Sequence, residues 1–444
     1  MAGGTWTSQN KVRPGVYIRF KSAAASTMQA GDRGVVAICE PLSWGPVGAI
    51  NAVDPDTDLK ALTGYDITDE HNRFLVEIFK GSNRTASPNR VLLYRPAASS
   101  SAAAAVTTGN LTATAKYPGA HGNDITIIIT ANAGSDDFTV ATVVSGNVED
   151  TQVGATVADL NDNGWVEFSG SGALAATTGA ALTGGADGTV QAATYSTFLS
   201  ALEAYKFDIL CYDGDTATVI TAYINFIKRI AEENGQYAQL VVANATNPDS
   251  RFVINLVSGV VLDDGTTLSA KQATWWVAGA QAGALYNESL TYASYPGAVS
   301  VTPAKTNAEI TAAIAAGDLV LNSDDGTVKI ETDINSLITY TEDIGSVFRK
   351  NRVMRLCNQI ANDIYATFSR SFVGVVNNDA MGRSRFKAII VSYLTGIQAN
   401  RGIQNFSGDD VEVLQGESID SVVVNLAITP VDSIEKIYLT IEVA

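Results

Sequence analysis

Phe207-Asp208-Ile209-Leu210-Cys211-Tyr212 and Gln239-Leu240-Val241-Val242-Ala243, separated by Thr216–Glu233, decide the fold class. The two outer runs are short, apolar and β-type, and the stretch between them reads as a helix. A strand, a helix and a strand in succession imply a mainly parallel sheet covered on both faces. The pattern extends in both directions. Upstream, residues 195–204 read as a helix, Val35–Cys39 and Val91–Arg95 as buried strands, and 70–80 as a helix stopped by Gly81. Downstream, Val253–Leu262 is a β run closed by the turn Asp263-Asp264-Gly265. Ser269–Ala284 is a helix of small residues suited to close packing, and Thr306–Ala316 is another helix. Leu319–Asn322 and Thr327–Glu331 flank Ser323-Asp324-Asp325-Gly326, a hairpin signal.

Between the early strands and this α/β run the composition changes. Residues 97–115 are nearly all Ala, Ser and Thr. From there to about 190 short β-type runs (Ile125–Thr130, Phe138–Val144, Trp165–Phe168) alternate with Gly, Asp and Asn turns. Frequent turns between short strands predict a small β-sandwich or barrel. Because α/β periodicity resumes afterwards, 97–190 reads as an insertion.

After Asp343 the chain turns helical. A long helix is expected to about Phe372, with Val353, Leu356, Ile360 and Ile364 on one face. A second is expected over Ser384–Asn400. Strands close the chain: Val422, Val424, Leu426 and Ile428 alternate with polar or smaller neighbours, as do Ile437, Leu439, Ile441 and Val443. Near the other end Val16, Ile18 and Phe20 alternate with Tyr17, Arg19 and Lys21. A lone terminal strand is unstable without a sheet to join. Val16, Tyr17, Ile18 and Phe20, with Ile437, Leu439, Ile441 and Val443, are therefore candidate arms that pair with an edge elsewhere.

The chain has 444 residues, 46% hydrophobic and 17% charged, with a formal charge of −17. That length suggests several domains. The acidity argues against nucleic acid as a partner, and no apolar run predicts a membrane span. The first residues lack the pattern of a secretory signal, and three scattered cysteines do not make a disulfide framework. Charge is uneven: 97–190 holds nine acids against Lys116, whereas 343–401 holds nine bases against three acids. Arg349, Lys350, Arg352 and Arg355 cluster at the start of the long helix with few acids in the adjacent turns. They are expected to face an acidic partner, the alternative being a solvated face with local ion pairs.

Signs of chemistry are few. There is no phosphate loop, no dinucleotide-binding glycine motif and no zinc spacing. Asp54, Asp56 and Asp58 imitate the start of a calcium loop, but Leu59 and Tyr65 stand where Gly and Glu belong. A hydrolase would depend on His71 or His121, and neither has a nucleophile elbow to serve. No catalytic residue, metal or cofactor is assigned.

A family pattern emerges from several short stretches. Arg13-Pro14-Gly15-Val16-Tyr17-Ile18 resembles the opening of contractile phage tail sheath proteins. Lys116-Tyr117-Pro118-Gly119-Ala120-His121-Gly122-Asn123-Asp124-Ile125 resembles the start of their β-sandwich domain. Phe348-Arg349-Lys350-Asn351-Arg352-Val353, Ile360-Ala361-Asn362-Asp363-Ile364, Val376-Asn377-Asn378-Asp379, Ser421-Val422-Val423-Val424-Asn425-Leu426 and Pro430-Val431-Asp432 resemble their C-terminal domain. Val375 departs from the pattern, where Lys is expected. The resemblance spans the chain in order and is nearest to sheaths of Gram-positive phages, defective prophages and tailocins.

The resemblance implies an α/β core of subtilisin-like topology, an inserted β-sandwich and an α+β C-terminal assembly domain. The expected layout is an arm at 1–21, core at 22–96, insertion at 97–190, core again at 191–342 and assembly domain at 343–444. The implied function is a structural subunit that stacks in hexameric rings around an inner tail tube and contracts, with baseplate and tail terminator proteins as further partners and no nucleic acid or membrane. Assembly would take place in the bacterial cytoplasm, for a phage virion or a released tailocin. The four helix-start bases would then face the tube. Rival readings are a surface-layer or adhesion protein and a degenerate subtilisin-like hydrolase.

Overall fold

The computed structural model describes Met28 and residues 30–442 in full, and the backbone alone of 2–4 and 15–17. The chain forms two compact units, one of residues 32–362 with 430–444 and one of residues 1–31 with 363–429.

The larger unit is built on a seven-stranded sheet. Its spatial order is Asp318–Leu319, Val253–Leu256, Gln239–Ala243, Ile209–Cys211, Val35–Cys39, Arg90–Tyr94, Ile50–Val53. Every neighbouring pair is parallel except the last, where Ile50–Val53 runs against Arg90–Tyr94. Strand residues alternate between two cores, as a period of two requires. Val36, Ile38, Val91 and Leu93 pack with Trp276, Val277 and Ile78 on one face. Ala37, Cys39, Leu92 and Tyr94 pack with Phe198, Tyr223 and Ile227 on the other. Continuous apolar runs are what strands buried on both faces need.

The helices read from the sequence are present as Arg73–Phe79, Ala192–Leu202, Ala217–Glu232, Ala270–Gly283 and Asn307–Ala315. Ala270–Gly283 opens with a capping box between Ser269 and Gln272. Its small residues serve close approach: a Cβ on Gly279 would lie 1.9 Å from the carbonyl oxygen of Ile78 on helix Arg73–Phe79. The β run Val253–Leu262 is two strands. Val253–Leu256 belongs to the parallel sheet, and Gly259–Leu262 joins Thr267–Leu268 and Ala298–Thr302 in a separate antiparallel sheet. The hairpin forms, but with a tighter turn than expected: Leu321–Asp324 pairs with Thr327–Ile330, Ser323 and Asp324 are strand, Asp325 and Gly326 turn at positive φ, and Leu319 belongs to the parallel sheet.

Residues 105–181 form two antiparallel sheets. One holds four strands, Asn147–Gly154, Phe138–Val144, Ile125–Ala131 and Thr177–Ala181, and the other three, Val166–Gly170, Leu111–Ala115 and Ala105–Thr108. Leu111, Ala113 and Val166 from one meet Ile127, Ile129 and Val140 from the other in a single apolar cluster.

The long helix is Asn351–Ser371, preceded by a 3-10 turn at Ser346–Arg349. Its residues to Asn362 lie in the larger unit, so a segment expected to open an assembly domain at 343 packs first with the α/β core. In the smaller unit the helix Ala380–Ala399, N-capped by Asp379 onto the Gly382 amide, carries the antiparallel hairpin Val411–Gln415 and Val422–Leu426. Gly15–Tyr17 pairs in parallel with Ala2–Gly4. Ile18 and Phe20, like Val443 at the other end, lie outside the described residues.

Candidate functional site

The basic helix start is not a free surface. Arg355 is 1% exposed and its guanidinium is enclosed within the chain. Nη2 donates to Asp333 Oδ2 at 2.8 Å and to the Glu288 carbonyl at 2.7 Å, and Nη1 donates to Gln281. Asp333 also accepts from Gln281 Nε2 at 2.8 Å, from Asn351 Nδ2 at 2.9 Å and from the Leu290 amide at 3.0 Å. Burial alone would raise the Asp333 carboxyl, yet the Arg355 charge and these donors outweigh it and hold it below the ordinary carboxylate range. Arg352 is 9% exposed. Arg349 donates to the Ile314 carbonyl, and Lys350 pairs with Glu435 and reaches Asp432 at 3.9 Å.

The expectation that these bases stand clear of the core for a partner is therefore corrected for Arg352 and Arg355. The helical wheel located the stripe of Val353, Leu356 and Ile360, all buried, but the opposite side is covered as well, by segments distant in sequence. Asp333 lies 22 positions before Arg355, beyond any i±4 pairing rule.

Lys350 has a second role: it fixes the C-terminal segment. Glu435 pairs with it and also accepts from Thr291 Oγ1 at 2.8 Å. Beyond this anchor the chain runs without a hydrogen-bonded ladder to residue 442. Ile437, Tyr438, Leu439 and Ile441 are 84%, 91%, 78% and 74% exposed. Large apolar side chains at that exposure, on a segment that pairs with no strand among the described residues, are left for a contact outside this chain to cover.

In the smaller unit the hairpin is two-stranded, with no further strand on either edge among the described residues. Beside it, at the turn between the two long helices, lies a groove of about 560 Å³ lined by Phe368, Phe372, Val375, Arg383, Phe386 and Ile419. Val375 and Ile419 stand exposed there.

The side chains that could carry chemistry are held in structural contacts. Asp54 is held by Arg90 through two bonds of 2.7 and 2.9 Å, and Asp58 accepts from the Lys60 amide, which is the arrangement of an acidic turn. His71 bonds to Asp69 and stacks on Tyr65 at 4.1 Å. His121, 2% exposed, packs on Tyr65, Trp44 and Trp165, with Nδ1 3.1 Å from Asp124. Among the described residues no cluster of three or more His, Cys, Asp or Glu is placed to hold a metal ion, and no helix is long and apolar enough to cross a membrane.

Comparison with known proteins agrees over most of the chain. Residues 97–187 match the phage tail sheath protein beta-sandwich domain, 188–336 its central domain, and 343–444 the phage tail sheath C-terminal domain. The phage-like element PBSX protein XkdK of Bacillus subtilis is 33% identical over the whole of both chains. The crystal structure of a sheath tail protein from Desulfitobacterium hafniense is 41% identical, with a TM-score of 0.87 covering 96% of this chain and 99% of that one. The helical sheath of the anti-feeding prophage, solved in its contracted state, shares the fold at 13% identity, with a TM-score of 0.60 over 97% and 99% of the two chains.

Proposed function

The chain belongs to the phage tail sheath family, and from that premise we propose how its two ends build the sheath lattice. It is a structural subunit of a contractile tail sheath, and the adhesion and hydrolase alternatives are not favoured. The observation that carries the assembly reading is the C-terminal segment: anchored by Glu435 to Lys350 and Thr291, then exposing Ile437, Tyr438, Leu439 and Ile441 without a ladder. Such a segment gains a sheet by adding to an open edge on another copy. Main-chain bonds then supply affinity, and alternating side chains set the register. The hairpin Val411–Gln415 and Val422–Leu426 offers such edges, and the strand at Gly15–Tyr17 is the matching arm at the N-terminus.

Subunits would stack in hexameric rings around an inner tube, between a baseplate and a terminator. Arms that stay paired while subunits rotate keep the lattice whole during contraction. Contacts to the tube need to release, and exposed ion pairs, worth about 0–1 kcal/mol each, suit that task. Arg370 and Arg385 are exposed bases on the two helices of the smaller unit and are candidates for such contacts. The subtilisin-like topology expected of the core is supported by its parallel sheet with helices on both faces. Electron microscopy of the purified full chain tests the assembly reading. Rings or tubes are expected, and a monodisperse monomer at high concentration, with and without the tube protein, contradicts it.

A further inference from the structure

Both histidines of the chain, His71 and His121, rest on one ring where the two-sheet module joins the α/β core. That ring is Tyr65, with centroids 4.1 Å from His71 and 4.2 Å from His121. The settings of the two differ. His71 is half exposed, with Nδ1 2.7 Å from Asp69 Oδ1. His121 belongs to the module, in the 3-10 turn Ala120–Asp124, and is 2% exposed. Trp44 and Tyr65 from the core and Trp165 from the module enclose it. Core backbone closes against it as well: a Cβ on Gly64 would lie 2.8 Å from Nε2.

The enclosure suits a neutral ring. Nδ1 lies 3.1 Å from Asp124 Oδ2, and Nε2 is buried without a hydrogen-bond partner. A neutral imidazole donating from Nδ1 keeps only a lone pair at Nε2. A protonated one brings a second N–H and a charge into an aromatic box. The titratable and charged groups around the ring are Tyr65, Asp69 and His71 on the core segment, Tyr117 and Asp124 beside it on the module, and Asp187, which accepts from the Ala120 amide. Arg95 is engaged by the carbonyls of Gly45 and Pro118, and Lys60 by Glu149.

We infer that His121 is an acid-released latch: a proton on its imidazole opens the junction between core and module, and the module pivots on its two chain crossings, near residues 96 and 188, while the parallel sheet stays folded. In support, burial holds the imidazole below its ordinary value, against the pull of Asp124 and of the Gly64 backbone. In the open junction the ring meets water and takes its proton at about 6.5. The closed form is therefore fully favoured above that pH, and the open population rises by up to about tenfold for each unit below it, until the folded value is passed.

Hydroxyl-radical footprinting of the full chain near pH 7.5 and pH 5.5, read residue by residue, tests the latch. Oxidation of Trp44 and Trp165 should rise on the order of tenfold at the lower pH. Trp276 and Tyr223, buried on the two faces of the parallel sheet, should not change. His121→Phe keeps an aromatic ring without a site for the proton, and its Trp44 and Trp165 should be equally protected at both values. Unchanged labelling in the wild type, or an equal rise in the variant, overturns the inference. So does a parallel rise at Trp276 and Tyr223, which marks unfolding of the whole unit. Should His121→Phe fail to fold, His71→Gln leaves His121 as the sole histidine, and its imidazole signal can be followed by nuclear magnetic resonance. Titration of that signal in step with Trp44 labelling supports the latch, and either change without the other overturns it.

Discussion

At the scale of single residues, Asp333 and Arg355 are the clearest structural determinants. Both are 1% exposed and fixed by Gln281, Asn351 and two backbone groups. Removing one member leaves the other charged and buried, which costs about 3–5 kcal/mol. Arg355→Met should therefore lower unfolding stability by about that amount, as chemical denaturation can show, and replacing Arg355 by Glu should unfold the chain rather than disturb a surface contact. The Asp333 carboxyl is held low, so its contribution is present above about pH 4 and lost as pH falls through the folded value. Asp333→Asn should flatten that acid limb. His121 acts at higher pH with the same sign. Burial pushes its imidazole below 6.5, against the pull of Asp124, so the unfolded chain binds a proton first as pH falls. Stability should decline below about pH 6.5, and His121→Asn should remove that part of the decline. Trp44 and Trp165, whose rings lie 5.6 and 5.8 Å from the imidazole, provide the fluorescence signal.

At the scale of elements, the parallel sheet was legible because its strands are buried on both faces and so read as unbroken apolar runs. Ala217–Glu232 was legible for the complementary reason, one apolar stripe, whereas Ala270–Gly283, buried from Ala273 to Ala282 without a break, was legible from its run of small residues. What escaped was what local pattern does not encode. Val253–Leu262 read as one strand because Val257 and Ser258, where the chain leaves one sheet for another, interrupt the apolar run only briefly. The basic cluster was visible, but its buried partner Asp333 is brought near by the tertiary fold alone. The C-terminal alternation was visible too, and among the described residues it pairs with no strand. A segment whose partner is another molecule leaves its pattern in the sequence and its sheet in the assembly. Deletion of residues 436–444 should accordingly leave the unfolding midpoint nearly unchanged and abolish polymerisation. Glu435 is retained in that variant, so the anchor to Lys350 survives. Sedimentation shows the outcome: polymers of normal length from the truncated chain contradict the arm assignment. Deleting residues 1–21 tests the other arm in the same way.

At the scale of the whole molecule, the two-sheet module of residues 105–181 has its own core, built around Leu111, Ile127, Ile129, Val140 and Val166. A module that closes its own core contributes little to the packing of the parallel sheet. Its acidity, nine acids against Lys116 over 97–190, also sets it apart from the basic segments expected to meet acidic partners. We expect it to lie on the outside of the sheath and to be dispensable for the lattice. Its attachment is local. Arg95 donates to the carbonyls of Gly45 and Pro118 at 2.6 Å each, and Asp187 accepts from Ser43 Oγ at 3.0 Å and from the Ala120 amide at 2.7 Å. A chain with residues 97–187 replaced by a short Gly-Ser linker between Pro96 and Gly188 loses the Pro118 bond and uncovers Trp44, which packs on Tyr117 and Trp165. Trp44→Ser in the same chain keeps that exposed ring from driving aggregation. The shortened protein should fold with the parallel sheet intact and polymerise into sheaths of smaller outer diameter and unchanged bore, both measurable by electron microscopy. A folded but strictly monomeric product would show that the module is part of the lattice and not an appendage to it.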